Sequence, residues 1–340
     1  MTTAIITGLS GGTLTADERA YYRDVQPAGV ILFKRNVLEP SAVRALVDDV
    51  RNAVGTDQFL VLIDQEGGRV QRLKSPAARD LPPAAAFASL YEIDPEQAKH
   101  AAYSVARLAA QDLSQYGVTM NCAPVLDVPV PGAHDIIGDR AYGQTVQQVV
   151  ELAQEVARGL LAGGIVPVIK HIPGHGRAGC DSHLDLPVVT ASHRELSLTD
   201  FASFKALSHL PAAMTAHVVF SDIDAEHPAS TSDRVTKNII RGEIGFDGFL
   251  MSDDLSMKAL RGDMRSRAEA VIRAGSDVAL HCNGDLTEML QAASGVPQLT
   301  GRAHERFAAA CALAGTATPY DESEAVALLS ALMSGETRTV

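Results

Sequence analysis

The chain has 340 residues, of which 46% are hydrophobic and 21% are charged, and its formal net charge is −12. This composition is typical of a soluble globular protein and excludes disordered and fibrous classes, while the acidic balance argues against nucleic acid and anionic membranes as partners, because both attract clustered Lys and Arg. The sequence contains no Trp, so a sugar or a base would have to be bound mainly through polar contacts.

The cysteines and the N-terminus indicate a cellular location. The four cysteines are scattered without a C-x-x-C pair, which is neither a disulfide framework nor a zinc ligand set and is typical of a reducing compartment. The N-terminus lacks the basic and apolar regions of a signal peptide, and no apolar run reaches the roughly 18 residues of a membrane-spanning helix. We therefore expect a cytoplasmic protein.

Short apolar runs alternate with longer amphipathic stretches from one end of the chain to the other. Most runs are rich in Val, Ile and Leu without strict alternation, as expected for parallel strands that are covered on both faces. Eight runs predict strands, over residues 4–9, 29–33, 59–64, 118–127, 165–170, 212–218, 248–253 and 277–282.

The stretches between these runs predict helices with recognisable ends. Asp94 is the predicted N-cap of a helix that Gly117 stops. A second helix begins at Val146 and ends at Gly163, and a third begins near Thr199. The chain thus has about eight β-α units with no intervening linker, which predicts a single-domain (β/α)₈ barrel.

We assign the barrel to residues 1–315 and a peripheral loop and helix to residues 316–340, with the helix over 321–333. A doubly wound sheet is the alternative fold. That fold usually has a G-x-G-x-x-G motif after its first strand, and the Gly-rich segment 8–12 of this chain lacks this spacing.

The active site of such a barrel lies at the carboxyl ends of its strands. One Asp at a strand end most often caps a helix, and one His usually makes a structural hydrogen bond. Here charged or imidazole side chains follow at least five predicted strands, namely Asp64 and Arg72, Asp127 and Arg140, Lys170 and His171, His217, Asp253 and Asp254, and His281. Their convergence on one rim indicates a functional site.

The segment after the fifth predicted strand contains two glycines and a proline within five residues, which predicts a shaped loop. It carries the imidazole and carboxyl side chains of His171, His175, Asp181 and His183. Asp181 can accept the proton on one imidazole nitrogen of His183 and leave the other nitrogen for catalysis. A neighbouring carboxylate raises the pKa of a His above about 6.5, so the imidazole can donate a proton near neutral pH. On another strand, Asp253 can supply a nucleophilic carboxylate.

Four motifs, in this order, resemble glycoside hydrolase family 3, and within it the single-domain bacterial β-N-acetylglucosaminidases of peptidoglycan recycling. They are D-Q-E-G-G-R-V-Q-R at 64–72, G-D-R at 138–140, K-H-I-P-G-H-G-x-x-x-x-D-S-H at 170–183 and S-D-D-L-S-M at 252–257. The third motif is highly specific, and the resemblance extends over residues 5–285.

The resemblance implies a role for most of the charged and imidazole side chains at the strand ends. Asp253 matches the nucleophile that forms a covalent glycosyl-enzyme, His183 matches the general acid/base, and Asp181 matches its partner in a dyad. The residues that match sugar-hydroxyl ligands are Asp64, Arg72, Arg140, Lys170 and His171. His175 lies in the motif without an assigned role. Alternation along the strand does not distinguish Asp253 from Asp254, because both faces of the strand are apolar, so that choice rests on the resemblance.

The function that the resemblance implies is removal of terminal non-reducing N-acetylglucosamine with retention of configuration. Its substrates would be muropeptides that contain N-acetylglucosamine linked to 1,6-anhydro-N-acetylmuramic acid. We expect a carbohydrate as the ligand, no cofactor or metal, no nucleic acid or membrane partner, and a monomer.

These side chains are consistent with a retaining glycosidase, which needs a nucleophile and an acid/base about 5–5.5 Å apart. A His–Asp dyad would replace one of the two usual carboxylates. Without Trp, the sugar hydroxyls would be held by charge-assisted hydrogen bonds. Basic residues opposite the nucleophile, such as Lys170, Arg72 and Arg140, would keep it ionised.

Three alternatives stay open. A phosphorylase of the same family would also use a His acid/base, which leaves room for an anionic phosphate. A metal-dependent barrel hydrolase would gather the histidines around zinc, but the sequence lacks H-x-H on its first strand, and Lys170 would repel the cation. A non-catalytic sugar-binding barrel would leave the dyad unexplained.

Overall fold

The computed structural model describes residues 1–182 and 184–334, and it contains a closed barrel of eight parallel strands. We number the barrel strands in chain order as β1 (Thr3–Thr7), β2 (Pro27–Leu32), β3 (Leu60–Ile63), β4 (Met120–Asn121), β5 (Val166–Ile172), β6 (Ala212–Thr215), β7 (Phe249–Asp254) and β8 (Val278–His281). Each strand pairs with its neighbours in the chain, and β8 closes the barrel on β1. The predicted (β/α)₈ barrel is confirmed.

Helices cover the outside of the barrel. The α-helices are α1 (Ala16–Val25), α2 (Pro40–Val54), α3 (Ala84–Tyr91), α4 (Pro95–Gln115), α5 (Val146–Ala162), α6 (His193–Leu198), α7 (Asp200–Ala206), α8 (Met264–Ala274), α9 (Leu286–Ser294), α10 (Gly301–Leu313) and α11 (Ser323–Ser334). A π-helix, Val235–Glu243, takes the corresponding place between β6 and β7. No helix within the described residues is long and apolar enough to cross a membrane.

The predicted helix ends agree closely with the structure. The Asp94 carboxylate accepts the backbone N–H of Gln97 at 3.0 Å and caps α4, and α5 begins at Val146, after the capping Thr145. Beyond α10, the chain returns along α4, where Ala325 and Leu329 of α11 are buried.

The core has two layers. One apolar cluster fills the barrel interior, with Ile31, Leu62 and Phe249 among its fully buried members. A second, larger cluster lies between the strands and the surrounding helices. All residues of β1, β2 and β5 are buried, as expected for parallel strands with both faces covered.

The prediction of one long strand over 118–127 is wrong. Only Met120–Asn121 forms a barrel strand there, because Pro124 has no N–H to donate and interrupts the ladder. The chain nevertheless stays beside β5, where the Leu126 N–H donates to the Lys170 carbonyl at 2.8 Å. Asp127 therefore still reaches the rim. The fifth strand, in turn, extends to Ile172 rather than ending at residue 170.

Candidate active site

A cavity of about 260 Å³ opens at the carboxyl ends of the barrel strands. Its walls come from the ends of β2, β3, β5, β6, β7 and β8 and from the loops that follow them. The charged side chains that line it are Asp64, Glu66, Arg69, Arg72, Arg140, Lys170, Asp253 and Asp254. Charge is therefore concentrated at the end of the barrel where such folds carry their active sites.

A tight hairpin after β3 shapes one wall. The hairpin pairs Gln65–Gly67 with Val70–Gln71, and its turn residues Gly67 and Gly68 have φ values of 105° and 54°, which glycine adopts without a steric penalty. The turn brings Arg72 back beside Asp64, so that Arg72 Nη2 lies 2.9 Å from Asp64 Oδ2. The D-Q-E-G-G-R-V-Q-R motif therefore folds into one local unit.

Lys170, near the end of β5, bridges two carboxylates of this unit. Its Nζ lies 2.9 Å from Asp64 Oδ1 and 2.6 Å from Glu66 Oε1. Arg140 forms a bidentate contact with Glu66, in which Nε lies 2.8 Å from Oε2 and Nη2 lies 2.9 Å from Oε1. Three cations and two carboxylates thus form one ion cluster, and the side chain of Lys170 is only 3% exposed.

The cluster fixes its own charge state. Burial alone would raise the pKa of Asp64 and Glu66, but Lys170, with Arg72 at Asp64 and Arg140 at Glu66, outweighs burial. The pKa of Asp64 is held well below its usual range, and the pKa of Glu66 falls to about 2. Burial likewise opposes the charge of Lys170, yet the two carboxylates raise the pKa of that ammonium. All members of the cluster are therefore charged near neutral pH.

A second polar group centres on Asp127, which is fully buried. Asp127 Oδ2 lies 2.7 Å from His171 Nδ1, and Oδ1 accepts the backbone N–H groups of His171 at 3.2 Å and His175 at 2.7 Å. The carboxylate therefore accepts the proton on Nδ1 and fixes the orientation of the His171 ring. Burial would raise the pKa of Asp127, but His171 and these hydrogen bonds lower it.

The two adjacent carboxylates of β7 differ in their surroundings. Asp254 Oδ1 accepts the backbone N–H groups of Ser256 and Cys282, each at 3.0 Å, and its Oδ2 accepts the Ser256 hydroxyl. Asp253 Oδ1 accepts the backbone N–H of Asp254 at 2.8 Å. Both carboxylates border the cavity, but Asp254 also ties β7 to the end of β8.

The structure brings most of the predicted site residues together. Asp64, Arg72, Arg140, Lys170, His171 and Asp253 all line the cavity. Asp181 lies on the loop after β5, next to the cavity-lining Ser182. His183 lies outside the described residues.

The basic residues expected to face the nucleophile have other partners. Lys170, Arg72 and Arg140 are ion-paired with Asp64 and Glu66. These pairs offset two of the three positive charges, and the expectation that the basic residues keep Asp253 ionised stays a prediction.

Sequence reasoning assigned no role to Glu66 or Asp127. Glu66 stands two residues after Asp64 in a motif already recognised, and this spacing in an extended segment was a usable signal. Asp127 ends a predicted strand, but nothing in the sequence links it to His171, which lies 44 residues farther along the chain.

A metal site does not emerge from the described side chains, since no group of three or more His, Cys, Asp and Glu residues within residues 1–182 and 184–334 is arranged to hold an ion. Besides two imidazoles, the described lining of the cavity contains one phenylalanine ring. Phe33, at the end of β2, lies under the guanidinium of Arg72, at 5.0 Å from the ring centroid.

Comparison with known proteins agrees with this geometry. Residues 7–310 match the family described as Glycosyl hydrolase family 3 N terminal domain. The chain is 39% identical over 283 residues to the Beta-hexosaminidase of Alkalilimnicola ehrlichii, covering 82% of this chain and 80% of that one. It is 36% identical over 293 residues to the Beta-hexosaminidase of Nitrosospira multiformis, covering 85% and 83%.

Solved structures point to the same family. NagZ from Neisseria gonorrhoeae in complex with N-trifluoroacetyl-D-glucosamine superposes with a TM-score of 0.85 at 30% identity, covering 99% of this chain and 98% of that chain. A glycoside hydrolase family 3 β-N-acetylglucosaminidase from Paenibacillus superposes with a TM-score of 0.85 at 29% identity, covering 97% of this chain and 66% of that chain. The chain therefore belongs to glycosyl hydrolase family 3, among its β-hexosaminidases.

Proposed function

We propose that the protein is a retaining exo-β-N-acetylglucosaminidase that removes terminal non-reducing N-acetylglucosamine from peptidoglycan fragments. The observation that carries the proposal is the cavity in which Asp253 is enclosed together with a fixed cluster of charged side chains. Relatives called Beta-hexosaminidase and a neighbouring structure with a glucosamine derivative support this substrate class.

The size of the cavity supports action at a chain end. A volume of about 260 Å³ lies just below the roughly 300–1,000 Å³ of drug-sized ligand pockets. Such a space suits one sugar ring, with the glycosidic oxygen near the mouth. An enzyme that cleaves within a polymer would need a long groove instead of a cavity of this size.

The polar walls support recognition of hydroxyl groups. Asp64 and Glu66 offer carboxylate oxygens that accept from sugar hydroxyls, while Arg72 and Arg140 offer N–H donors. Charge-assisted hydrogen bonds of this kind are about twice as strong as neutral ones. Because the cluster already pairs its charges, the site is held in place before substrate arrives.

Asp253 is the proposed nucleophile. Both carboxylate oxygens of Asp254 are engaged with Ser256 or Cys282, so an attack by Asp254 would break the contacts that hold the end of β7. The anchoring of Asp254 to Ser256 and Cys282 supports the choice of Asp253 that the sequence motif indicates.

The proposed reaction has two balanced steps. In the first step, a carboxylate oxygen of Asp253 attacks C1 of the terminal sugar, the C1–O bond to the leaving group breaks, and the leaving oxygen takes a proton from His183. In the second step, water attacks C1, gives a proton to His183 and releases Asp253 as a carboxylate. The two inversions at C1 give net retention.

The His183–Asp181 dyad is proposed from the sequence motif. An imidazolium that has donated its proton is neutral, whereas a carboxylic acid that has donated its proton is an anion. His183 therefore carries no charge of its own once the leaving group has been protonated. We also propose a cytoplasmic location and a role in peptidoglycan recycling, supported by four free cysteines and by the class of the relatives.

A panel of aryl glycosides tests the proposed activity. We expect turnover of the β-N-acetylglucosaminide, weaker or no turnover of the β-N-acetylgalactosaminide and β-glucoside, and release of N-acetylglucosamine from N-acetylglucosaminyl-1,6-anhydro-N-acetylmuramic acid. Preferred cleavage of the β-glucoside would contradict the proposal.

The same assay with added inorganic phosphate separates the hydrolase from a phosphorylase, the second candidate. A hydrolase gives free N-acetylglucosamine at every phosphate concentration. A sugar phosphate as the main product would establish the phosphorylase instead.

A further inference from the structure

His175 lies inside the K-H-I-P-G-H-G segment at 170–176 but takes no part in the proposed reaction steps. Its side chain borders the cavity, and the residue is 3% exposed. Its backbone N–H donates to Asp127 Oδ1 at 2.7 Å, the same carboxylate that orients His171. His175 is therefore fixed from its main-chain side by a group that belongs to the active site.

Among residues 1–182 and 184–334, the imidazole of His175 makes one hydrogen bond, to a residue farther along the loop. Its Nε2 lies 3.0 Å from the hydroxyl oxygen of Ser182. Its Nδ1 is buried and has no hydrogen-bond partner within the described part of the chain. Burial, and then the neighbouring His171, lower the pKa of His175 to about 4, so the ring is neutral and carries one proton near neutral pH.

The position of that proton follows from the contacts. An N–H donor that is buried without an acceptor costs roughly 1–3 kcal/mol. The proton is therefore better placed on Nε2, where the Ser182 oxygen accepts it, than on Nδ1. In this tautomer His175 is the donor and Ser182 is the acceptor.

Ser182 occupies a particular place in the loop. It stands between Asp181 and His183, the two residues proposed as the acid/base dyad. Backbone hydrogen bonds from Leu184 and Asp185 to the Asp181 carbonyl, at 2.9 and 3.0 Å, fold this part of the chain into a turn. Among the described residues of the turn, Ser182 is buried, whereas Leu184 is 67% exposed. The turn is thus attached to the barrel through Ser182.

We propose that His175 is a positioning residue for the acid/base step, acting through its hydrogen bond to Ser182. The bond holds Ser182, the middle residue of the D-S-H sequence, at the cavity wall, and so limits the movement of the loop that carries the proposed dyad. This inference rests on the proposed function, because it takes the acid/base role of the dyad as given. It assigns a task to the second His of the motif.

The proposal predicts a selective defect. Proton donation matters most when the leaving group is poor, since a good leaving group departs without it. Loss of the His175–Ser182 bond is therefore expected to slow poor leaving groups and to spare good ones. A purely structural role for His175 would lower both rates alike.

The experiment compares Ser182→Ala, His175→Asn and His175→Gln on phenyl and dinitrophenyl β-N-acetylglucosaminides. The Gln amide nitrogen lies near the position of imidazole Nε2, whereas the Asn amide nitrogen lies near Nδ1. We expect Ser182→Ala and His175→Asn to lose about tenfold or more in kcat/KM on the phenyl substrate and less than about threefold on the dinitrophenyl substrate, as a fraction of the roughly 10²–10⁴-fold that general acid catalysis contributes. His175→Gln should keep the wild-type dependence on the leaving group.

The results distinguish a failure of the positioning role of His175 from a failure of the proposed function. Equal losses on both substrates, or no loss with Ser182→Ala, would overturn the positioning role while leaving the proposed function intact. Absence of wild-type turnover on both substrates would overturn the proposed function itself. If His175→Asn does not fold, Ser182→Ala carries the test, with dinitrophenyl turnover reporting its folded state.

Discussion

At the scale of single residues, two adjacent aspartates on one strand have different hydrogen-bond partners. Asp254 binds backbone N–H groups of Ser256 and Cys282, and Asp253 borders the same cavity one residue earlier. The two side chains are chemically identical, and they differ only in their surroundings. The structure shows this difference, which the sequence does not.

Substitution of each aspartate tests the distinction. Asp253→Ala is predicted to lower kcat on an aryl β-N-acetylglucosaminide by a factor on the order of 10⁴ or more, the scale seen when a nucleophile is removed. Asp254→Ala is predicted to cost about 10²-fold at most, because it misplaces the end of β7 without removing a reacting atom.

Azide serves as the control for this pair. As a small external nucleophile, it should restore turnover of an activated substrate in Asp253→Ala and not in Asp254→Ala. Equal losses in the two variants, or rescue of Asp254→Ala alone, would contradict the assignment.

The ion cluster gives a second prediction at this scale. Glu66→Gln leaves Lys170 and Arg140 without their shared carboxylate in a buried site, and breaking such a cluster typically costs about 3–5 kcal/mol. We expect the free energy of unfolding in urea to fall by about 3 kcal/mol.

Glu155→Gln is the matched control for that change. Glu155 contacts Arg158 one helical turn away, and the Arg158 side chain is 60% exposed, so less than about 1 kcal/mol should be lost. A comparable loss in both variants would show that the cluster adds no more stability than a surface ion pair.

The members of the site were predictable to different degrees. Lys170 and Asp64 follow strands at the rim, where the fold itself predicts function. Glu66 and Asp127 have no role assigned from the sequence, since their contacts join segments that are far apart in the chain. The Glu66 partner Arg140, for example, follows 74 residues later.

At the scale of elements, hydrophobic runs located the strands well, and the fourth strand was the exception. Its apolar sequence continues from Val118 to Leu126, but Pro124 ends the regular ladder after two residues. The helix ends were more predictable, because caps such as Asp94 act within a few residues of chain. Local signals therefore predicted local structure, and pairing across strands did not follow from them.

The packing of α5 on α4 gives a prediction at this scale. An added Cβ at Gly159 would lie 2.4 Å from the Tyr103 carbonyl oxygen and 2.9 Å from the Ala106 Cβ. Gly159→Ala improves helix propensity by about 1 kcal/mol, but overpacking costs roughly 1–3 kcal/mol. We expect a net loss of about 1 kcal/mol in urea unfolding.

Gly11→Ala is the control, because an added Cβ there meets no atom within 4 Å. It should change stability by less than about 0.5 kcal/mol. A Gly159→Ala variant as stable as wild type would mean that the two helices separate at little cost.

At the scale of the whole molecule, the excess of negative charge does not extend to the site. The chain has a net charge of −12, yet the cavity is lined by the four cations Arg69, Arg72, Arg140 and Lys170 as well as by four carboxylates. The composition therefore gives only the average charge of the molecule, whereas the motifs indicate the site.

Acid is predicted to destabilise the molecule before most carboxylates titrate. Burial, and then His171, hold the pKa of His175 at about 4, and burial lowers the pKa of His217, against about 6.5 in an unfolded chain. Between these values the unfolded state binds more protons, so stability that is present above pH 6.5 is lost as pH falls toward 4. His175 alone should lower the free energy of unfolding by about 2 kcal/mol between pH 7 and pH 5.

Urea unfolding at the two pH values measures this effect. His175→Gln should show a smaller difference between pH 7 and pH 5 than wild type does. Stability that is constant over this range in wild type would contradict neutral buried histidines.

The central claim is that hydrolysis passes through a sugar bonded covalently to Asp253. Its most direct test is mass spectrometry of the protein after reaction with a slow fluorinated N-acetylglucosaminide, followed by peptide mapping. We expect the mass of the protein to increase by the mass of one sugar residue, and we expect the label on Asp253. A label on Asp254, or hydrolysis with inversion and no label at all, would contradict it.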